Sequence, residues 1–196
     1  MSTVINISTS SQVINYSPNA PNFPPAQLPV ITINGNPIPA PPMPNTPTGF
    51  QVVVFDSSKE ITDPTAIIAN TCIPVFANNG NNWWNTYQYC YSGICSTLLT
   101  SGNIDEQTII VASYGMDNNM APTNDALQML MAYGADGQLQ YWETHCDAGS
   151  QVGNPTSWTA FPISYILFGA SGWGYGNGTE LYDSNSGTAK LAVTIP

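Results

Sequence analysis

Three residue types that carry chemistry stand together at His145-Cys146-Asp147. A thiolate, an imidazole and a carboxylate are the parts of an activated nucleophile. Residues adjacent in sequence do not face one another in a helix or a strand, however. The triplet therefore reads as a turn histidine beside a structural cysteine. Asp105-Glu106 supplies paired carboxylates, which do acid–base work on glycosides when held at a defined separation. Two adjacent acids that open a strand read more simply as a solvated turn. Asp117, Asn119 and Asp125 carry oxygen ligands suited to Ca²⁺ but lack the EF-hand spacing. No catalytic residue, metal site or cofactor is assigned, and the chain is expected not to be an enzyme.

Four cysteines, Cys72, Cys90, Cys95 and Cys146, make an even count. Cys90-x4-Cys95 is not the CxxC spacing of zinc or redox sites, and the chain has one histidine. One disulfide or a pair of disulfides fits the count, and so do four buried free thiols. Bridges persist outside the reducing cytosol. Met1-Ser2-Thr3-Val4 shows neither a basic nor an apolar leader region. Release by lysis or by signal-independent export reconciles the two, as for a virion or another extracellular particle.

Exposed aromatics are the remaining candidates. Gly172-Trp173-Gly174-Tyr175-Gly176-Asn177-Gly178 places glycine at alternate positions. No helical pattern follows it, so it is not a dinucleotide-binding turn. Its rings suit a shallow platform for a sugar or a peptide, or a turn that covers the core. Trp83 and Trp84 are adjacent, and in a strand one of the two must point outward. Trp83, Trp84, Trp173 and Tyr175 are the candidate glycan-binding residues.

The elements that position these residues divide near residue 48. Residues 1–48 hold 11 of the 17 prolines and no charged side chain. Proline lacks an N–H and has a fixed φ, so Pro18 to Pro25 and Pro37 to Pro44 cannot join a central strand or a helix. This stretch is expected to be an extended arm that borrows its order from a neighbouring subunit, through Pro18, Phe23, Pro24, Pro25, Ile31, Ile33, Pro41 and Pro42. Two short β-like runs interrupt it, Ser11 to Tyr16 and Leu28 to Asn34.

Residues 49–196 read as the globular domain. Buried strands are expected at Gly49–Asp56, Gln107–Tyr114 and Ser164–Gly169, with a closing strand at Leu191–Ile195. A turn or short helix is expected from Asp63 through Ile67 and Ile68. A helix is expected from Trp83 to Leu99, with Trp84, Tyr87, Tyr91, Ile94 and Leu98 on one face. The best helix runs from Pro122 to Gly134, capped by Thr123 and closed by Gly134. Strands and helices mix without regular alternation, which favours a β-rich α+β fold.

Composition excludes several roles. Of the 196 residues, 7% are charged, against about 25% in an average soluble domain. Lys59 and Lys190 are the two basic residues, and the net charge is −10. Nothing here neutralises a row of phosphates or an anionic membrane, so neither nucleic acid nor membrane is an expected partner. A neutral-polar surface suits a dense assembly or a wet extracellular setting.

The order of segments resembles the interleukin-like EMT inducer domain, or GG domain. The likeness covers residues 49 to about 180. It rests on the strand Gly49–Asp56, the strand Gln107–Tyr114, the helix ending at Gly134-Ala135, and Trp158 before Tyr165–Gly169. The family's Asp-Ser-Trp-x-x-x-Gly strand is matched loosely by Ser157-Trp158. The segment Cys72 to Gly102 and the low charge depart from its usual members. The resemblance implies a compact antiparallel β-sandwich with short flanking helices, used for protein contact or glycan binding. The expected function is a non-enzymatic structural subunit of a phage-like virion or other particle, its arm on copies of itself or on other subunits. The alternative is a carbohydrate-binding or adhesive module that takes a surface glycan.

Overall fold

The computed structural model describes residues 2–11, 14–16, 27–42, 48–74, 86–117, 122–140, 158–160, 162–184 and 186–196, the side chains of 14–16, 86–89, 117, 158–160 and 162 excepted. Among these, the strands in chain order are β1 (Thr3–Ser10), β2 (Ile14–Tyr16), β3 (Val30–Ile33), β4 (Asn36–Pro37), β5 (Gly49–Asp56), β6 (Ile67–Pro74), β7 (Gln107–Tyr114), β8 (Met116–Asp117), β9 (Trp158–Ala160), β10 (Pro162–Ala170), β11 (Thr179–Asp183) and β12 (Thr188–Ile195). Helix α1 (Thr86–Thr100) precedes β7, and α2 (Asn124–Ala132) follows β8.

A central sheet has the order β11-β10-β7-β5-β6, with β8 also paired to β10. A second sheet has the order β12-β1-β3-β4, and β2 pairs with β9. The described ladders are antiparallel. The fold is thus a β-rich α+β arrangement of antiparallel sheets with two short helices.

The inner strands β5, β7 and β10 of the central sheet are buried on both faces, which is why they read as nearly unbroken apolar runs, while the edge strands β6 and β11 are half-buried. Phe50, Val52 and Val54 of β5, with Tyr165 and Leu167 of β10, pack on one face with α1 and α2. Val53 and Phe55, with Ile110, Ile166 and Phe168, pack on the other face beneath the second sheet. In α1 the residues Tyr91, Ile94 and Leu98 turn inward, as expected from their spacing. The Thr123 hydroxyl accepts the Ala126 N–H at 3.4 Å and caps α2. Among the described residues, no helix is long and apolar enough to cross a membrane.

The expected boundary at residue 48 is corrected for the described segments. β1 pairs with β12 over eight residues and with β3 on its other side. Ile5, Ile7, Ile31 and Ile33 enter the core against β5, β7 and β10. Ile31 and Ile33, expected to touch a neighbouring subunit, are 3% and 8% exposed within their own chain. Pro41 is buried and Pro42 exposed. The Asn70 side chain donates to the Pro39 carbonyl at 2.6 Å and fastens this segment to β6. The reason is period two: isoleucine recurs at alternate positions in proline-free runs, so one face of each run buries. Pro18, Phe23, Pro24 and Pro25 lie outside the described residues.

Ile67 and Ile68 do not continue a helix. Asp63 accepts the Thr65 N–H at 2.8 Å and starts a single 3₁₀ turn, Pro64–Ala66. The β-branched pair then begins β6, the edge partner of β5.

Candidate functional site

The glycine-rich segment joins β10 to β11 as a loop braced by backbone. The α2 helix closes at Gly134, where φ is +107° and the Gly134 N–H reaches the Met131 carbonyl at 3.1 Å. Carbonyls of this turn then receive the loop. Gly174, Gly176 and Gly178 donate to Ala132 at 3.4 Å, Ala135 at 3.0 Å and Gly134 at 2.8 Å. The Asn177 side chain donates to the Trp173 carbonyl at 2.6 Å and closes the tip.

This bracing holds the two intervening aromatics outward. Trp173 is 41% exposed and Tyr175 66% exposed. Trp173 leans edge-on against Phe168, with ring centroids 5.9 Å apart and planes at 70°. That contact orients the indole, while part of its face stays in solvent. Trp83 and Trp84 lie outside the described residues, as do His145, Cys146, Asp147 and Asn119.

Beside this loop lies a carboxyl pair that sequence reasoning missed. Glu180 follows Gly178 by two residues. Its Oε2 accepts the Asp136 N–H at 2.8 Å and the Gln138 N–H at 3.1 Å, and its Oε1 accepts the Tyr165 hydroxyl at 2.6 Å. Burial, and then Asp136, push Glu180 up to about 7. Asp136, exposed and bonded to Glu180 and Gln138, is held below the usual carboxylate range. Burial raises the Tyr165 phenol, and the Glu180 charge raises it further.

A second polar node supports the same turn from beneath. The Tyr133 hydroxyl donates to Gln107 Oε1 at 2.5 Å. Gln107 Nε2 donates to the Leu98 carbonyl at 2.9 Å and to the Ser101 carbonyl. The Ser171 N–H reaches the Gln107 carbonyl at 2.8 Å. One buried glutamine thus joins the end of α1 and the end of α2 through its carboxamide, and the start of the aromatic loop through its main-chain carbonyl, at the start of β7. The only trace of it in the sequence is a glutamine that opens an apolar strand.

Of the two readings of the cysteines, disulfides or free thiols, the described residues show the second: Cys72, Cys90 and Cys95 are free. Their thiols are all raised by burial, Cys72 to about 11. The Cys90 thiol instead reaches the Ile73 carbonyl at 3.3 Å. Asp105 and Glu106 lie exposed on a 3₁₀ turn, capped by Asn103. Asp125 is exposed in the first turn of α2. Among the described residues, no three His, Cys, Asp or Glu side chains converge as metal ligands.

A shallow groove of about 380 Å³ opens on the outer face of the second sheet, lined by Asn6, Ser8, Val30, Thr32, Lys190 and Ala192 among others. Its lining is mixed, and it brings no cluster of titratable groups together. No protein-family model matches the chain, and a search of curated proteins finds no relative.

Proposed function

We propose that the chain is a non-enzymatic binding module of an extracellular particle or virion surface, and that the Trp173–Tyr175 loop takes a neutral saccharide. One observation carries this reading: two outward rings two residues apart, on a loop whose backbone is hydrogen-bonded to the end of α2 at three points. Ring faces stack on the apolar faces of sugars, and a braced loop loses little freedom when it does so. The neighbouring Asp136 is exposed, and its carboxylate keeps lone pairs that accept from hydroxyls. The segment order that resembles the GG domains is part of this proposal.

A glycan array with the wild type, Trp173→Ala and Tyr175→Ala tests it. The expected result is a saccharide class bound by the wild type and lost in both variants. An empty broad array, or binding indifferent to both substitutions, rejects it.

A second reading, a particle subunit, is supported by the low charge and by the eight-residue strands β6 and β12 at the sheet edges, each with one ladder partner among the described strands. Such edges can accept a further strand. Light scattering of the full chain tests this reading. Self-association at micromolar concentration favours it; a strict monomer that joins no particle rejects it.

A further inference from the structure

We propose that Asp136 gives the Trp173–Tyr175 loop a charge preference: a saccharide with a free, protonated amine is favoured over the neutral sugar, and the neutral sugar over an acidic one. The inference names the substrate class within the saccharide reading above and rests on that reading.

Backbone sets the juxtaposition. The Gly176 N–H donates to the Ala135 carbonyl at 3.0 Å. The peptide unit between Tyr175 and Gly176 is thereby joined to the one between Ala135 and Asp136. Tyr175 and Asp136 flank this hydrogen bond, as residues on neighbouring strands do. Both side chains are exposed, and so is part of the Trp173 indole. Two aromatic rings and a carboxylate thus open to solvent at one corner of the molecule.

The carboxylate is held in place. Its Oδ1 accepts the Gln138 N–H at 3.2 Å, and its Oδ2 accepts the Gln138 Nε2 group at 3.3 Å. One donor on each oxygen fixes the group and leaves each oxygen a further lone pair. A ligand donor meets a carboxylate whose orientation is already set, at little cost in freedom. Glu180 turns its own oxygens to the Asp136 and Gln138 N–H groups and the Tyr165 hydroxyl, so Asp136 is the carboxylate that meets the ligand.

These parts rank ligands by charge. A sugar hydroxyl on Asp136 makes a charge-assisted hydrogen bond, and an ammonium adds the attraction of two full charges. The same ammonium is drawn to the negative face of an indole or phenol ring. A sugar carboxylate or sulfate meets repulsion instead. No basic side chain among the described residues relieves it. Lys59 is 3.7 Å from Asp56, and Lys190 lines the groove outside the second sheet. The chain contains no arginine.

The test is titration of the isotope-labelled full chain with glucosamine, glucose and glucuronate at low salt, read by nuclear magnetic resonance at the Trp173 indole N–H and the Gly176 amide. At about pH 6 the amine is protonated and both carboxylates are ionised. Glucosamine is expected to bind about fivefold more tightly than glucose, the scale of one exposed ion pair or cation–π contact, and glucuronate more weakly than glucose. Added salt should narrow the spread. Asp136→Asn, an exposed substitution, should bring the three affinities together. Equal affinities in the wild type overturn the proposal, as does a spread that Asp136→Asn leaves unchanged. No perturbation at Trp173 by any of the three probes overturns it as well, and the saccharide reading then stands or falls on the array. Glucose bound at Trp173 with no charge order removes the preference and keeps that reading.

Discussion

The backbone carbonyl of Tyr133 occupies the space that a side chain on Gly169 would need, so the end of α2 rests directly on β10. The Ala170 N–H bonds the same carbonyl at 3.1 Å. This close approach sets the height of the turn from which the aromatic loop hangs.

Gly169→Ala must therefore push helix and strand apart. A loss of about 3 kcal/mol is expected, at the upper end for overpacking a core, because the obstacle is backbone and cannot rotate away. Urea unfolding followed by circular dichroism measures it. A loss below about 1 kcal/mol would mean that the turn yields more easily than this contact implies.

The Gln107 node gives a graded pair of variants. Tyr133→Phe strands one buried carboxamide oxygen, and a loss of about 1–2 kcal/mol is expected. Gln107→Leu strands the Tyr133 hydroxyl and withdraws a donor from the Leu98 and Ser101 carbonyls, so its loss should be larger. Thermal melts of the two variants side by side check the order, and a reversed order contradicts the wiring.

Stability should depend on pH with a defined sign. The folded state raises Glu180 from 4.5 to about 7, so it binds this proton more tightly than the unfolded chain does. That contribution is complete below pH 4.5 and is lost as pH rises through 7. Asp136 acts oppositely: it is lowered from 3.8, and its contribution is present above that value and lost on acidification. Asp56 and Asp63, lowered by bonds from Ser58 and Thr65, act in the same sense as Asp136. The urea midpoint should therefore peak near pH 4–5 and decline toward pH 8. Glu180→Gln should flatten the alkaline decline and leave the acid limb in place.

Thiol reactivity should report burial. With Cys72 raised to about 11, its thiolate fraction at pH 8 is roughly a hundredfold below that of a free cysteine. Cys90 is fully buried and should label only on unfolding. Maleimide labelling mapped by mass spectrometry checks both sites. Rapid modification of Cys90 in the native protein would contradict the packing of α1 against the central sheet.

Much of the central sheet was legible in the sequence. Gly49–Asp56 and Gln107–Tyr114 are β-branched runs bounded by turn or polar residues, and they become β5 and β7 over those residues. Thr123 and Gly134 mark the two ends of α2 by capping chemistry that acts within one turn. Trp173 and Tyr175 stand out because glycine flanks them, and both are exposed. Within residues 1–48, the described strands β1 and β3 pair inside their own chain, because proline density averaged over the stretch hides proline-free runs. Whether Ile5, Ile7, Ile31 and Ile33 would bury against their own chain or another depends on β12, which lies at the far end of the sequence.

Periodicity, caps and breakers act over a few residues, and they were enough to locate the β-branched strands, the capped helix and the glycine-flanked rings. Which strands pair, and what surrounds a side chain, depends on groups brought together from distant segments. Asp136 and Glu180 are 44 residues apart and ordinary on inspection. They meet only because the β10–β11 hairpin and the end of α2 converge, which sets the Glu180 carboxylate on the Asp136 N–H.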